Sequence, residues 1–181
     1  VRPFNQHGGL TLIPMTGFES LAFEVKSRVE VGSYEFDTSI DVAEFEFAYR
    51  ASGEPYVRLG KEHIAGHDCV VLTSGPGTPA MLLQLMLILR YLSGRRASRI
   101  AVVTGYFPLG RSDKDEGTLE FATAPLIIDL MMMSTYSGLD RGIAVDLHAS
   151  QVVMSGRTGL ITEVSMVRRM LKRALDEAMA L

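Results

Sequence analysis

The chain has 181 residues, 47% of them apolar and 22% charged, which suits a soluble globular protein with room for one domain and a sizeable core. A net charge of −3 sets up no overall field for nucleic acid or an anionic membrane. Cys69, the single cysteine, lies in an apolar run, so disulfides and cysteine zinc sites are excluded and the cytoplasm is the expected compartment.

The N-terminal residues carry no long apolar stretch of the secretory type. Leu10-Thr11-Leu12-Ile13-Pro14 reads as a first strand. Phe18 to Val29 follows as a helix, with Thr16 as its N-cap and Glu19 placed to complete a capping box. Val31 to Val42 is less regular. Residues Glu44 to Tyr49 alternate strictly between polar and apolar, the pattern of a half-exposed strand. The turn signal Ser52-Gly53 then makes Pro55 to Leu59 its hairpin partner. His63 and His67, on either side of Gly66, read as surface residues of a turn.

From Cys69 onward the pattern is strand and helix in alternation. Cys69 to Leu72 is a buried strand. Thr78 and Pro79 stand where an N-cap and a first helical residue belong. The helix they open is apolar on most sides, from Met81 to Leu92. It is shorter than the roughly 20 residues of a membrane span and carries Gln84 and Arg90, so it belongs in a core or a subunit interface. Arg99 to Thr104 is the next strand, Gly105 to Gly117 a polar loop, and Leu119 to Met133 a helix. Gly142 to Val145 is a strand, and Leu160 to Met179 a last helix whose Arg168, Arg169, Lys172 and Arg173 form a solvated basic face. Such alternation predicts an α/β fold, a three-layer sandwich around a mostly parallel sheet.

In parallel sheets ligands sit beyond the carboxyl ends of the strands. Three loops fall at that edge: Ser74 to Thr78, Gly105 to Gly117, and Asp146 to Gly156. The first places glycines and a helix start where an anion could meet backbone N–H groups, without the Gly-Lys-Ser/Thr ending of a P-loop. In the second, Arg111 and Lys114 are phosphate ligands or members of a solvated charged loop. There, Asp113 and Asp115 orient those cations or hold magnesium through water. The third opens with Asp146-Leu147-His148-Ala149-Ser150-Gln151. On an extended segment Asp146 and His148 point to the same side. The pair either holds a metal or nucleotide phosphates, or forms a buried hydrogen-bonded structural unit.

Taken in order, these segments resemble the N-terminal half of ribose-phosphate diphosphokinase, the phosphoribosyl pyrophosphate synthetase family. The resemblance is carried by Tyr106 to Lys114, by Val145 to Gln151, and by Arg50 to Glu54 with Val57-Arg58-Leu59 behind. Ala97 to Ile100 and Leu160 to Glu163 add to it. It runs from about Leu10 to the last helix, with Ser33 to Glu46 resembling an insertion. It implies a phosphoribosyltransferase-like fold and transfer of a diphosphoryl group from magnesium-ATP to ribose 5-phosphate. It further implies that Arg111, Ser112, Asp113 and Lys114 bind ATP, joined by Glu54 on an element that reaches a neighbouring subunit. His148 with Asp146 would serve the metal and phosphates. The implied partners are ATP, a sugar phosphate and further subunits, as a homo-oligomer or with a synthetase subunit. No nucleic acid or membrane is implied.

The departures are as specific. Arg50 stands at the family's adenine-stacking Phe, Ser52 at its Asp or Asn, and Ser112 at its loop Gln. Arg157 and Ile161 stand near acids the family places downstream of the histidine motif. The Asp-Asp-x-x-x-Thr-Gly-Gly-Thr run of the family's second half is not found among the 181 residues. The expectation is therefore one N-terminal-like domain over 1–181, serving as half of a synthetase or as a non-catalytic paralogue that assembles with an active one.

Overall fold

The computed structural model describes residues 8–32, 40–115, 117 and 119–179. In chain order these form β1 (Leu10–Pro14), α1 (Glu19–Gly32), β2 (Ile40–Val42), β3 (Phe45–Tyr49), β4 (Pro55–Leu59), β5 (Asp68–Thr73) and α2 (Pro79–Gly94). There follow β6 (Arg99–Thr104), α3 (Ala124–Ser134), β7 (Leu139–Val145), a 3₁₀ turn over Ser150–Met154, β8 (Ile161–Val164) and α4 (Val167–Met179).

Six strands build one sheet in the order β2-β1-β5-β6-β7-β8, and every pairing in it is parallel. β3 and β4 form a separate antiparallel hairpin. The expected α/β sandwich is thus present. α1 closes one face through a small cluster of Leu12, Ala22, Ile40 and Leu72. α2 and α3 close the other through the main core, in which Leu85, Ile88, Leu89, Leu92, Ile127, Ile128 and Met131 are all buried.

Thr78 caps α2 as its sequence predicts, accepting the Met81 N–H at 3.4 Å, with Pro79 behind it. The buried stripe of α2 recurs every three to four residues, so the helix is held by packing rather than by propensity. The lone thiol of Cys69 is buried, and loss of solvent pushes its pKa up to about 12.

Several boundaries differ from the sequence reading. Leu160 to Met179 is not one helix: Leu160 is buried, Ile161–Val164 is an edge strand, and α4 starts only at Val167. β8 lies so close to β7 that a Cβ on Gly142 would stand 2.6 Å from Ile161 Cδ1. α3 begins at Ala124 rather than Leu119, set by Pro125 in its first turn. Ile40–Val42, inside the stretch expected to be irregular, pairs with β1, while residues 33–39 lie outside those described. Thr16 does not cap α1. Its hydroxyl goes to Gln84 Oε1 at 3.3 Å, and Glu19 reaches back to the Gly17 N–H at 3.1 Å. His63 is exposed as expected, but His67 is half-buried, with Nδ1 at 3.1 Å from Thr11 Oγ1.

Candidate functional site

Parallel pairing of β5, β6 and β7 places the loops after them side by side at the carboxyl edge of the sheet. The loop after β6 is pinned before its charged residues begin. Gly110 N–H donates to the Phe107 carbonyl and Ser112 N–H to the Leu109 carbonyl, each in a tight turn, and Phe107 itself is buried.

Ser112 then closes the loop onto α3. Its Oγ accepts the Thr123 N–H at 3.2 Å, and its carbonyl accepts the Ala124 N–H at 2.8 Å. Asp115 Oδ1 takes the Ala122 N–H at 2.6 Å. Ser112 and Asp115 are therefore held by the loop itself, which leaves the loop's shape fixed and its cations unspent. Arg111 and Lys114 are exposed, and neither makes an ion pair or hydrogen bond with a described residue.

The loop after β7 meets this one through a hydrogen bond in which Gln151 Nε2 donates to Asp113 Oδ2. Sequence reasoning noted Gln151 as part of the histidine motif but gave it no role. Its contact ties the two loops together and holds Asp113 against the segment that follows His148. The pattern alone gave no sign of this, because the partner lies 38 residues away.

Asp146 and His148 differ in geometry from the extended pair expected. β7 ends at Val145, and Asp146 takes a left-handed backbone with φ 42°, a conformation that Asp tolerates better than most residues. Its carboxylate turns to the start of α4 and accepts the Met166 N–H at 3.1 Å and 3.3 Å. Its N–H donates to the Val164 carbonyl, and the next N–H, of Leu147, donates to Glu163 Oε1 at 3.1 Å. Asp146 is thus an anchor between β7, β8 and α4 whose remaining lone pairs face solvent. His148 is exposed and has no hydrogen-bond partner among the described residues.

Glu54 stands elsewhere, exposed at the tip of the β3–β4 hairpin, where it accepts the Ser52 hydroxyl at 2.8 Å. Among the described residues no hydrogen bond or ion pair links it to the Arg111 loop. The hairpin also carries Arg50 over the Tyr56 ring, 5.2 Å from its centroid, so the cation that stands where the resemblance expects an adenine-stacking Phe is stacked within the chain.

Among the described residues no three His, Cys, Asp or Glu side chains converge as a metal cage. That donor set still fits magnesium arriving with a nucleotide, because Mg²⁺ keeps several waters and takes one or two carboxylates plus substrate phosphates. Asp146 would supply such a carboxylate, and the His148 imidazole would suit a phosphate or a metal-bound water better than the ion itself. No helix of the described residues is long and apolar enough to cross a membrane.

The comparisons with known proteins agree with this architecture. The ribose-phosphate pyrophosphokinase of Corynebacterium glutamicum is 37% identical over 103 residues, 56% of this chain and 30% of that protein. That of Mycobacterium tuberculosis is 35% identical over 116 residues, 64% of this chain and 33% of that one. The crystal structure of phosphoribosylpyrophosphate synthetase from Mycobacterium smegmatis matches 93% of this chain with a TM-score of 0.76 at 25% identity, covering 52% of its own chain. The matches thus span about a third of the curated relatives and half of the solved one. The model of the N-terminal domain of ribose phosphate pyrophosphokinase matches residues 10–134. That stretch takes in Glu54 and the Arg111 loop but stops short of Asp146 and His148. It runs from the first residue of β1 to the last of α3 and so includes both helical layers, and by it the chain belongs to the family of the N-terminal domain of ribose phosphate pyrophosphokinase.

Proposed function

We propose that this chain provides the nucleotide half of a ribose-phosphate diphosphokinase site, holding magnesium-ATP for transfer of its β,γ-diphosphoryl group to ribose 5-phosphate. The observation that carries the reading is the Gln151–Asp113 contact, which joins two carboxyl-edge loops while Arg111 and Lys114 have no ion pair or hydrogen bond among the described residues. Arg111 offers a rigid fork to phosphate oxygens and Lys114 a mobile point charge. Asp113 and Ser112 fix the loop that presents them. His148 donates to a phosphate oxygen, and Asp146 adds carboxylate lone pairs beside it. Magnesium, when bound with the nucleotide, neutralises charge on the phosphates, and the protein's share is position.

Glu54 fits this reading as a contact made in a neighbouring subunit, since its own chain leaves it apart from the loop. The chain then acts as one domain over 1–181, in the cytoplasm, within a homo-oligomer or with a synthetase subunit. Nothing in the 181 residues supplies the Asp-Asp-x-x-x-Thr-Gly-Gly-Thr grip on the 5-phosphate. The expected result with this chain, Mg²⁺, ATP and ribose 5-phosphate is nucleotide binding without AMP release. Formation of AMP and phosphoribosyl diphosphate contradicts the half-site reading.

A second reading, a regulatory or scaffolding paralogue, is favoured by one structural feature. α4 is wholly exposed, with Met170 at 65% and Leu175 at 63%, an apolar stripe of the kind that assembly covers. Tight co-purification with a longer synthetase, without ATP binding, supports this reading over the first.

A further inference from the structure

From β1 the chain crosses to β2 on one side, whereas from β5 it continues through β6, β7 and β8 on the other. β1 and β5 are neighbours, so the topological switch lies between them, and in open parallel sheets that crevice is where ligands sit. Here it holds a cavity of about 250 Å³ lined by Thr16, Thr73, Ser74, Thr78 and Gln84. No residue of the Arg111 loop or the histidine motif lines it.

Its polar groups are left with hydrogens to donate. Thr73 is 4% exposed, yet its Oγ1 has no hydrogen-bond partner, a state that buried hydroxyls rarely keep. The N–H groups of Thr78 and Ala80, at the start of the 16-residue α2, make no hydrogen bond with a described residue. Ser74 Oγ accepts the Tyr106 N–H at 2.7 Å and so keeps its own proton. Gln84 receives the Thr16 hydroxyl on Oε1, which frees its NH₂. Glu19, the acid in the first turn of α1, is engaged by the Gly17 N–H and does not line the cavity.

The loop is also built to hold its shape. Gly77 has φ 90°, and a Cβ there would stand 2.9 Å from the Leu109 side chain. A crevice whose donors stand between the apolar side chains of Met15, Phe18 and Met81, with no lysine or arginine on its wall and a helix N-terminus beside it, matches an oxyanion held by dipoles and neutral groups. We propose that the crevice between β1 and β5 binds a phosphate group, carried by inorganic phosphate or by a small phosphate monoester. Sequence reading singled out Ser74 to Thr78 but could not see Thr73, Thr16 and Gln84 converge on it.

The test titrates inorganic phosphate, ribose 5-phosphate and unphosphorylated ribose into the full chain, by calorimetry and by thermal unfolding. Saturable phosphate binding is expected, weakened about tenfold by Thr73→Val, through loss of one hydrogen bond to a charged group. Without ligand that variant should unfold at the same or a higher temperature, since it loses only an unpaired hydroxyl. Gln84→Leu, a second and independent variant, should weaken binding likewise. Arg111→Ala should leave the crevice's affinity unchanged, which separates it from the nucleotide site. Ribose 5-phosphate binding more tightly than phosphate, with the same dependence on Thr73, supports an ester site, and equal affinity supports a site for the free anion. Absence of saturable binding, binding that both variants leave intact, or binding that Arg111→Ala abolishes overturns the proposal.

Discussion

The two ends of the sheet carry similar charged residues and treat them in opposite ways. At the amino edge charges are spent on the fold. Arg99 forms a two-pronged pair with Asp68, its Nε 2.9 Å from Oδ1. Asp140 takes the Ile100 N–H at 2.7 Å, Arg157 donates to the Leu139 carbonyl at 3.0 Å, and Lys61 pairs with Asp41. At the carboxyl edge the acids hold the loops in shape, while Arg111, Lys114 and His148 are left without partners among the described residues. A paired charge stabilises geometry, whereas an unpaired one on a fixed loop is available to a ligand. The comparison therefore predicts that substitutions at one end change stability and those at the other change binding.

The largest expected effect comes from Arg111→Ala. Loss of a charge-assisted contact to phosphate should weaken magnesium-ATP binding by about 30- to 100-fold. Its unfolding midpoint in urea should match the parent's, since the exposed side chain makes no hydrogen bond or ion pair with a described residue. His148→Ala should weaken the same binding by roughly tenfold, again without loss of stability, one hydrogen bond being removed. A wild-type affinity in that variant would return the histidine motif to a purely structural role.

At the other end, Arg99→Ala should leave nucleotide affinity unchanged and cost about 1 kcal/mol of stability or less, the scale of a partly exposed ion pair. Equilibrium denaturation of the two arginine variants side by side checks this crossing of effects. Its failure, with Arg99→Ala weakening nucleotide binding, would erase the distinction between the ends.

The smallest effect is a pH dependence near the amino edge. Burial, and then the charge of Lys61, hold the His67 pKa below its ordinary 6.5. The unfolded chain therefore binds the proton more readily, so this contribution is full above about pH 6.5 and is lost as pH falls through the folded value. His67→Gln should flatten that part of the stability curve. Asp41, lowered mainly by its hydrogen bond to Lys61, acts in a separate window that starts near its ordinary 3.8 and extends below it.

Much of this fold is legible in the sequence because burial leaves strong marks. β1, β5, β6 and α2 are apolar runs bounded by turn residues, and Thr78-Pro79 announces its helix. Legibility fails where tertiary contacts decide. Ile161–Val164 is a four-residue edge strand half open to solvent, too short to stand out from the amphipathic helix behind it. The left-handed turn at Asp146 is selected by the Met166 N–H, 20 residues away, so local pattern suggested a straight extension instead. For the site, residue types pointed to Arg111 and His148. The contact that joins their loops came only from the fold.

The most direct test of the account is calorimetric titration of ATP, with and without Mg²⁺, into the chain and its Arg111→Ala and Arg99→Ala variants. Magnesium-dependent binding is expected, weakened about 30- to 100-fold by Arg111→Ala and kept by Arg99→Ala. Equal binding by all three proteins, or none by the parent chain, contradicts it.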